Sequence, residues 1–271
     1  MTTNYDPAHA PVFERIDTYE DWQRDEGVKL HGGLYIKDLY SLELSHWARK
    51  GVDGAVVYLD GDEDTDEHVL EIGPAGKTNP EHHMFNEVIY ILSGRGATSV
   101  WYDEGKKQTF EWAEGAYFSI PMNASYQHFN GSGSEALRMV SVTNLPGMLR
   151  RFITPDFIWN NPYVFPDRLN TEEGWASGSG SMYKGRIWET NFLPDAAGMP
   201  MPDWHERGAG GTNIMLSLSD NTVSSHISEF PVGTYKKAHR HGPGAHLLIT
   251  GGDGFALVWK EDDMSDLVKA D

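Results

Sequence analysis

The sequence predicts an all-β protein made of two tandem barrels behind a helical N-terminal arm, and three observations carry that prediction. From His31-Gly-Gly onward, short apolar segments are separated by Gly, Asp and Pro clusters, the texture of strands joined by turns. One pattern then occurs twice: Trp47-Ala-Arg-Lys50-Gly51-Val-Asp-Gly54 through Leu59 returns as Trp204-His-Glu-Arg207-Gly208-Ala-Gly-Gly211 through Leu216, a displacement of 157 residues. After a one-residue insertion the correspondence continues at 158, pairing His68 with His226, Glu71 with Glu229, His83 with His241, Gly94 with Gly252, Gly96 with Gly254 and Trp101 with Trp259. Glycines, tryptophans and a histidine matched in register mark a duplicated β-domain.

Taken in order, residues 1–32 read as the arm. Within it, Asp17-Thr-Tyr-Glu-Asp-Trp22 opens a short helix with a capping Asp and early acidic residues. Residues 33–144 form the first barrel and 145–184 a Pro- and aromatic-rich connector, whose rings are expected to staple the two domains together. Residues 185–271 form the second barrel, which is expected to be incomplete. Gly115 opens the closing strands of the first repeat, and its counterpart, 158 residues on, falls after Asp271. The expectation is that this sequence is a fragment, because an unclosed barrel leaves a bare sheet edge. The Gly94-Arg-Gly96 and Gly251-Gly-Asp-Gly254 stretches read as hairpin turns, since no Lys-Ser/Thr or helical pattern follows to make a phosphate loop.

Composition narrows the chemistry. There is no cysteine, which excludes disulfides, thiol nucleophiles and thiolate metal sites, so any metal must sit on His, Asp, Glu, Tyr or backbone oxygen. The formal charge of −18, from 40 acidic against 22 basic residues, opposes nucleic acid and anionic membrane as partners. No long apolar run and no signal-like N-terminus is present, and a cytoplasmic protein is expected. A small anionic molecule is the expected partner, drawn to a local cation inside an acidic shell. A homodimer is also open.

The residues that point to chemistry are histidines. If Ala238-His239-Arg240-His241 is a strand, period-two alternation places His239 and His241 on one face and Arg240 on the other, where it is expected to pair with an acid. Two converging imidazoles turned into a barrel ask for a user of their lone pairs, and transition metals are the commonest.

The first repeat carries Glu87-Val-Ile-Tyr-Ile-Leu-Ser-Gly94 followed by Gly115-Ala-Tyr-Phe-Ser-Ile-Pro121 and then Tyr126-Gln-His128. These segments resemble the two motifs of the cupin superfamily, and with two repeats the chain resembles a bicupin. The resemblance implies double-stranded β-helix (jelly-roll) barrels. Counting by the motifs places Glu81, His83, Glu87, Tyr126 and His128 inward in the first barrel, with His82 outward; a carboxylate and His mixture of this kind can hold Fe, Mn or Zn. The second repeat restores His-x-His but has Ala245 where the motif glutamate belongs, a combination that resembles the gentisate dioxygenase class with its three-His Fe(II) centre. The third ligand would lie beyond Asp271, and His246 is the only nearby substitute.

These readings predict a metal-dependent bicupin oxygenase for a small aromatic or related anionic chelating substrate. Fe(II) is the favoured metal, Mn or Zn are alternatives, and the second barrel is favoured as the iron site. A metal-dependent isomerase or hydrolase using His83, Glu87 and His128, and a non-catalytic ligand-binding bicupin, are the competing readings.

Overall fold

The computed structural model describes residues 17–169, 174–204, 210–240, 244–260 and 262–271. Helix α1 (Thr18–Glu26) begins where the sequence places it. Asp17 caps it by accepting from the backbone N–H groups of Tyr19 and Glu20, and Gly27, at φ +62°, ends it in the left-handed conformation that suits glycine. Its buried Tyr19 and Trp22 join the main core.

The strands follow in order: β1 (Lys29–Gly33), β2 (Ser45–Trp47), β3 (Val52–Leu59), β4 (Asp66–Ile72), β5 (Glu87–Ser93), β6 (Arg95–Trp101), β7 (Gln108–Ala113), β8 (Tyr117–Ile120), β9 (Ser125–Asn130) and β10 (Leu137–Thr143). Two short helices, α2 (Leu145–Phe152) and α3 (Pro155–Trp159), lead to β11 (Ser181–Tyr183), β12 (Ile187–Thr190), β13 (Phe192–Leu193), β14 (Thr212–Leu218), β15 (Ser225–Glu229), β16 (Ala256–Val258) and β17 (Val268–Ala270).

The first repeat is a two-sheet jelly roll. One sheet runs β1-β3-β4-β10-β5-β8-β13, with β2 attached to β3, and the other runs β7-β6-β9. The inner faces meet through Phe110, Trp112, Phe118 and Tyr126 in one apolar cluster, with the Phe110 and Phe118 rings edge to face at 5.1 Å. Strand β5 is apolar on both faces because both are covered. Ile89 and Ile91 face the interior, whereas Leu92 packs with Val57, Val69 and Val140 beneath the segment carrying Ile36, Leu39, Leu42 and Leu44. Arg138 fastens that segment. It donates to the carbonyls of Leu39, Tyr40 and Leu42 and pairs with Glu71 at 2.7 Å.

The duplication is visible in the pairing. β1 runs parallel to β3, which is antiparallel to β4; β12 likewise runs parallel to β14, which is antiparallel to β15. The turn at Gly94, φ +88°, is not the hairpin the sequence predicts: it carries the chain from β5 in the larger sheet to β6 in the smaller one, and the two strands do not pair. Beyond β15 the expectation fails. No described residue between Glu229 and Ala256 is in a strand, so the strand-turn-strand read for Ala238 onward is reduced to β16. The physical reason is lateral support: β5 forms between β8 and β10, and the described residues supply no such neighbours to its counterpart.

The connector aromatics also differ from expectation. Phe157, Trp159 and Phe165 pack on the first barrel's own core, with Trp159 stacked on Trp22 at 6.1 Å, rather than joining two barrels.

Candidate functional site in the first barrel

Six side chains meet inside the first barrel, brought there by several local causes. Lys50 sits in the turn between β2 and β3. That turn is held by Asn79, whose amide donates to the carbonyls of Ala48 and Arg49 and whose backbone N–H donates to Lys50. Glu81 is fixed by a two-way backbone bridge with Tyr126 at 3.0 and 2.8 Å. His83 follows it in the same loop, Glu87 opens β5, and Tyr126 and His128 alternate inward on β9. Lys50, His83, Glu87, Tyr126 and His128 are all buried.

The polar atoms form one network. The Lys50 ammonium donates to Glu81 at 2.8 Å and lies 3.4 Å from the Tyr126 hydroxyl. That hydroxyl donates to Glu87 Oε2 at 3.0 Å and lies 3.1 Å from His83 Nε2, and His83 Nε2 is 3.3 Å from Glu87 Oε2. His83 Nδ1 faces the Phe85 carbonyl at 2.9 Å; a carbonyl only accepts, so Nδ1 carries the hydrogen and Nε2 is the atom turned to the interior. The imidazole is clamped flat on the Phe85 ring, 3.5 Å between centroids. His128 Nδ1 is 2.8 Å from the Thr98 hydroxyl, which also accepts from the Trp112 indole at 2.8 Å.

Electrostatics follow from this packing. Burial opposes ionisation of Glu87, but the Lys50 ammonium is the foremost charge acting against it, and the carboxyl is held well below its usual range. Burial would also discharge Lys50, yet Glu81 and Glu87 keep it charged, with its pKa raised. Tyr126 is pushed far up by burial and then by the two carboxylates, so it stays a neutral phenol. Burial lowers His128 to about 4, leaving it neutral at physiological pH. The formal charges of Glu81, Glu87 and Lys50 sum to one excess negative charge in a dry interior.

The network admits a metal by its donor set and spacing. Ligand atoms about 2.1 Å from one ion at near right angles lie roughly 3 Å apart. The triangle of His83 Nε2, Glu87 Oε2 and Tyr126 OH has edges of 3.3, 3.0 and 3.1 Å. Among the described residues no three His, Asp or Glu groups converge as a metal cage, and a tyrosine completes this set instead.

The remaining sequence candidates lie elsewhere. His82, expected to face outward, turns from the network and its Nδ1 meets the Asn123 side-chain oxygen at 3.0 Å. His239 is exposed in a stretch without regular structure, its Nδ1 2.9 Å from the Lys237 carbonyl, and His241 lies outside the described residues. Arg240 pairs with Asp262 at 2.7 Å, as an outward arginine should. His246 joins no ligand set with His239. Its Nδ1 is 2.7 Å from Glu67 and its Nε2 is 3.3 Å from Asp62, on the outside of the first barrel.

Sequence reasoning missed Lys50, although the basic position of the repeated Trp-x-x-basic-Gly pattern marked it. It also missed Asp66, a buried acceptor for the hydroxyls of Tyr19 and Thr143 and for His68 Nε2; His68 Nδ1 and Trp22 Nε1 beside it are buried without a hydrogen-bond partner.

No family model matches the chain. It is 25% identical over 139 residues to auxin-binding protein 4 of Zea mays, an alignment covering 48% of this chain and 65% of that protein. The chain therefore spans just under two thirds of the curated relative it matches. Among solved structures it is similar to the cupin domain of Schizosaccharomyces pombe Cnp3 (TM-score 0.35, 18% identity, 44% of this chain and 81% of that one). It is also similar to the Lactobacillus farciminis oxalate decarboxylase formate complex (0.33, 19%, 40% and 32%) and to vicilin from Corylus avellana (0.29, 23%, 30% and 23%). None of these relatives is named as a gentisate dioxygenase. No helix among the described residues is long and apolar enough to cross a membrane.

Proposed function

We propose that the first cupin-like barrel is a metal-dependent catalytic centre for a small anionic, oxygen-chelating molecule, with His83, Glu87 and Tyr126 holding the ion and His128 beside them. The observation that carries this reading is the near-equilateral triangle of one nitrogen and two oxygens, with edges of 3.0 to 3.3 Å, in an interior one positive charge short of neutrality. A divalent ion, Fe(II) first and Mn or Zn after it, would supply Lewis acidity there, and as Fe(II) also electron transfer to oxygen.

The chain's own residues do the rest. The Phe85 carbonyl and ring fix His83 in the tautomer that presents Nε2. Lys50 keeps Glu87 ionised. His128, neutral and buried with its Nδ1 fixed on Thr98, is a proton acceptor or hydrogen-bonding group for a bound substrate at neutral pH. A divalent cation would turn the interior's excess negative charge into a net positive one, which is the electrostatic reason for an anionic substrate. The likeness to an auxin-binding protein agrees with small-molecule recognition.

An oxygenase and an isomerase both fit these residues. The oxygenase reading rests on the sequence, where His239-x-His241 with Ala245 resembles the gentisate dioxygenase class. Metal analysis of the purified protein is the first test. One equivalent of transition metal is expected, and H83A should weaken it by a hundredfold or more. Metal-free protein that takes up none from Fe(II), Mn(II) or Zn(II) overturns the reading. Oxygen uptake with hydroxybenzoates and catechols then separates the two reaction types.

A further inference from the structure

We propose that Lys50 is a built-in competitor for the cation bound by the His83–Glu87–Tyr126 triangle, and that by holding Glu81 aside it limits the centre to three protein ligands. The inference rests on the metal reading above and concerns what sets the affinity of that site.

Three observations lead to it. The Lys50 backbone cannot drift, because Asn79 ties its turn and Gly51, at φ +70°, has its missing Cβ position only 2.7 Å from the Asn79 side-chain oxygen. The lysine stem is thereby aimed across the Trp47 and Tyr126 rings, 5.6 and 6.0 Å from the ammonium, and Nζ ends between Glu81 and the Tyr126 hydroxyl. Glu81, for its part, is held in the backbone by its bridge to Tyr126, so only side-chain rotation separates its carboxylate from the triangle that Tyr126 completes.

An ammonium 3.4 Å from one corner of that triangle repels a metal ion, and the same ammonium engages the one nearby carboxylate that would otherwise be a fourth ligand. Both effects lower metal affinity. In the duplicate, the positions of Lys50 and Glu81 are Arg207 and His239, so the sequence pairs a basic residue with an imidazole there in place of a carboxylate. The lysine and its glutamate are thus a matched departure from the two-His pattern.

The test is Zn(II) binding by calorimetry on the full chain, with folding checked by circular dichroism. K50M should bind Zn(II) at least tenfold more tightly than the wild type, and K50M/E81Q should give most of that gain back. With Co(II), K50M should show the spectrum of a centre that has gained a ligand. If K50M fails to fold, E81Q supplies the second arm: its ammonium, freed from the carboxylate, turns on Tyr126 and weakens Zn(II) binding several-fold. Wild-type uptake with no tightening in folded K50M, or no weakening in E81Q, overturns this proposal and leaves the metal reading standing. Uptake by K50M where the wild type takes up none supports the competitor role and removes the metal reading from the natural protein. Uptake by neither overturns both.

Discussion

The two repeats share a sequence pattern and part of a strand order, yet the same residue is a core element in one and a surface element in the other. Ile91 is fully buried in β5, and its counterpart Ile249 is 74% exposed. His68 is buried against Trp22 and Trp47, whereas His226 is exposed on β15. A side chain on Gly96 would place its Cβ 2.2 Å from the Phe129 carbonyl, while nothing lies within 4 Å of the same position on Gly254. What separates them is the cover. β8, β9 and β10 close over the first repeat and turn its motif residues into a dry, mutually bonded network. A motif names which residues face inward, but enclosure by neighbouring strands gives that inwardness its dielectric and its chemistry.

The comparison breaks most readily at its hydrophobic and glycine pairs. I91A should destabilise the protein by about 2–5 kcal/mol through the cavity it leaves, while I249A should stay within about 0.5 kcal/mol. G96A should be destabilising on the same scale, because backbone and Trp112 atoms block its Cβ, with G254A neutral. Denaturant unfolding of the four variants checks this. Equal effects within either pair would mean that the second repeat is as enclosed as the first.

A smaller effect concerns the contact between the regions. His246 is held by Glu67 and Asp62; burial alone would lower its pKa, but the two carboxylates outweigh it and raise it from the ordinary 6.5 to about 9. A folded pKa above the unfolded one means stability fully present below about pH 6.5 and lost as pH rises through about 9. Hydrogen exchange in residues 244–250 should therefore quicken between those values, and H246Q should abolish the dependence. Protection that rises with pH would reverse the assignment. The smallest expected effect is R240A: Arg240 and Asp262 are both exposed, and unfolding should shift by less than about 0.5 kcal/mol.

Much of the candidate site was legible before the structure. Motif spacing brought Glu81, His83, Glu87, Tyr126 and His128 to one interior, and all five lie there. Spacing works because the strand period is fixed, so residues two apart on β9 share a face. Lys50 was not legible as a partner of Glu81, since 31 residues separate them and only the Asn79-bound turn brings them together. His239 shows the opposite failure. Alternation gives a face only to a residue that is in a strand, and this one is not.

By itself the sequence determined the mostly-β class, the repeated pattern, the capped first helix, the exclusion of thiol chemistry and which residues of the first repeat face inward. These follow from local rules: period, turn chemistry, capping and composition. The tertiary structure alone decided that Phe157, Trp159 and Phe165 of the connector cover the first barrel, that Lys50 pairs with Glu81, that His246 meets two acids on the outer sheet, and that the His83–Glu87–Tyr126 network is buried. Each of those outcomes depends on which distant segments exclude water from a group, and a one-dimensional pattern does not carry that information.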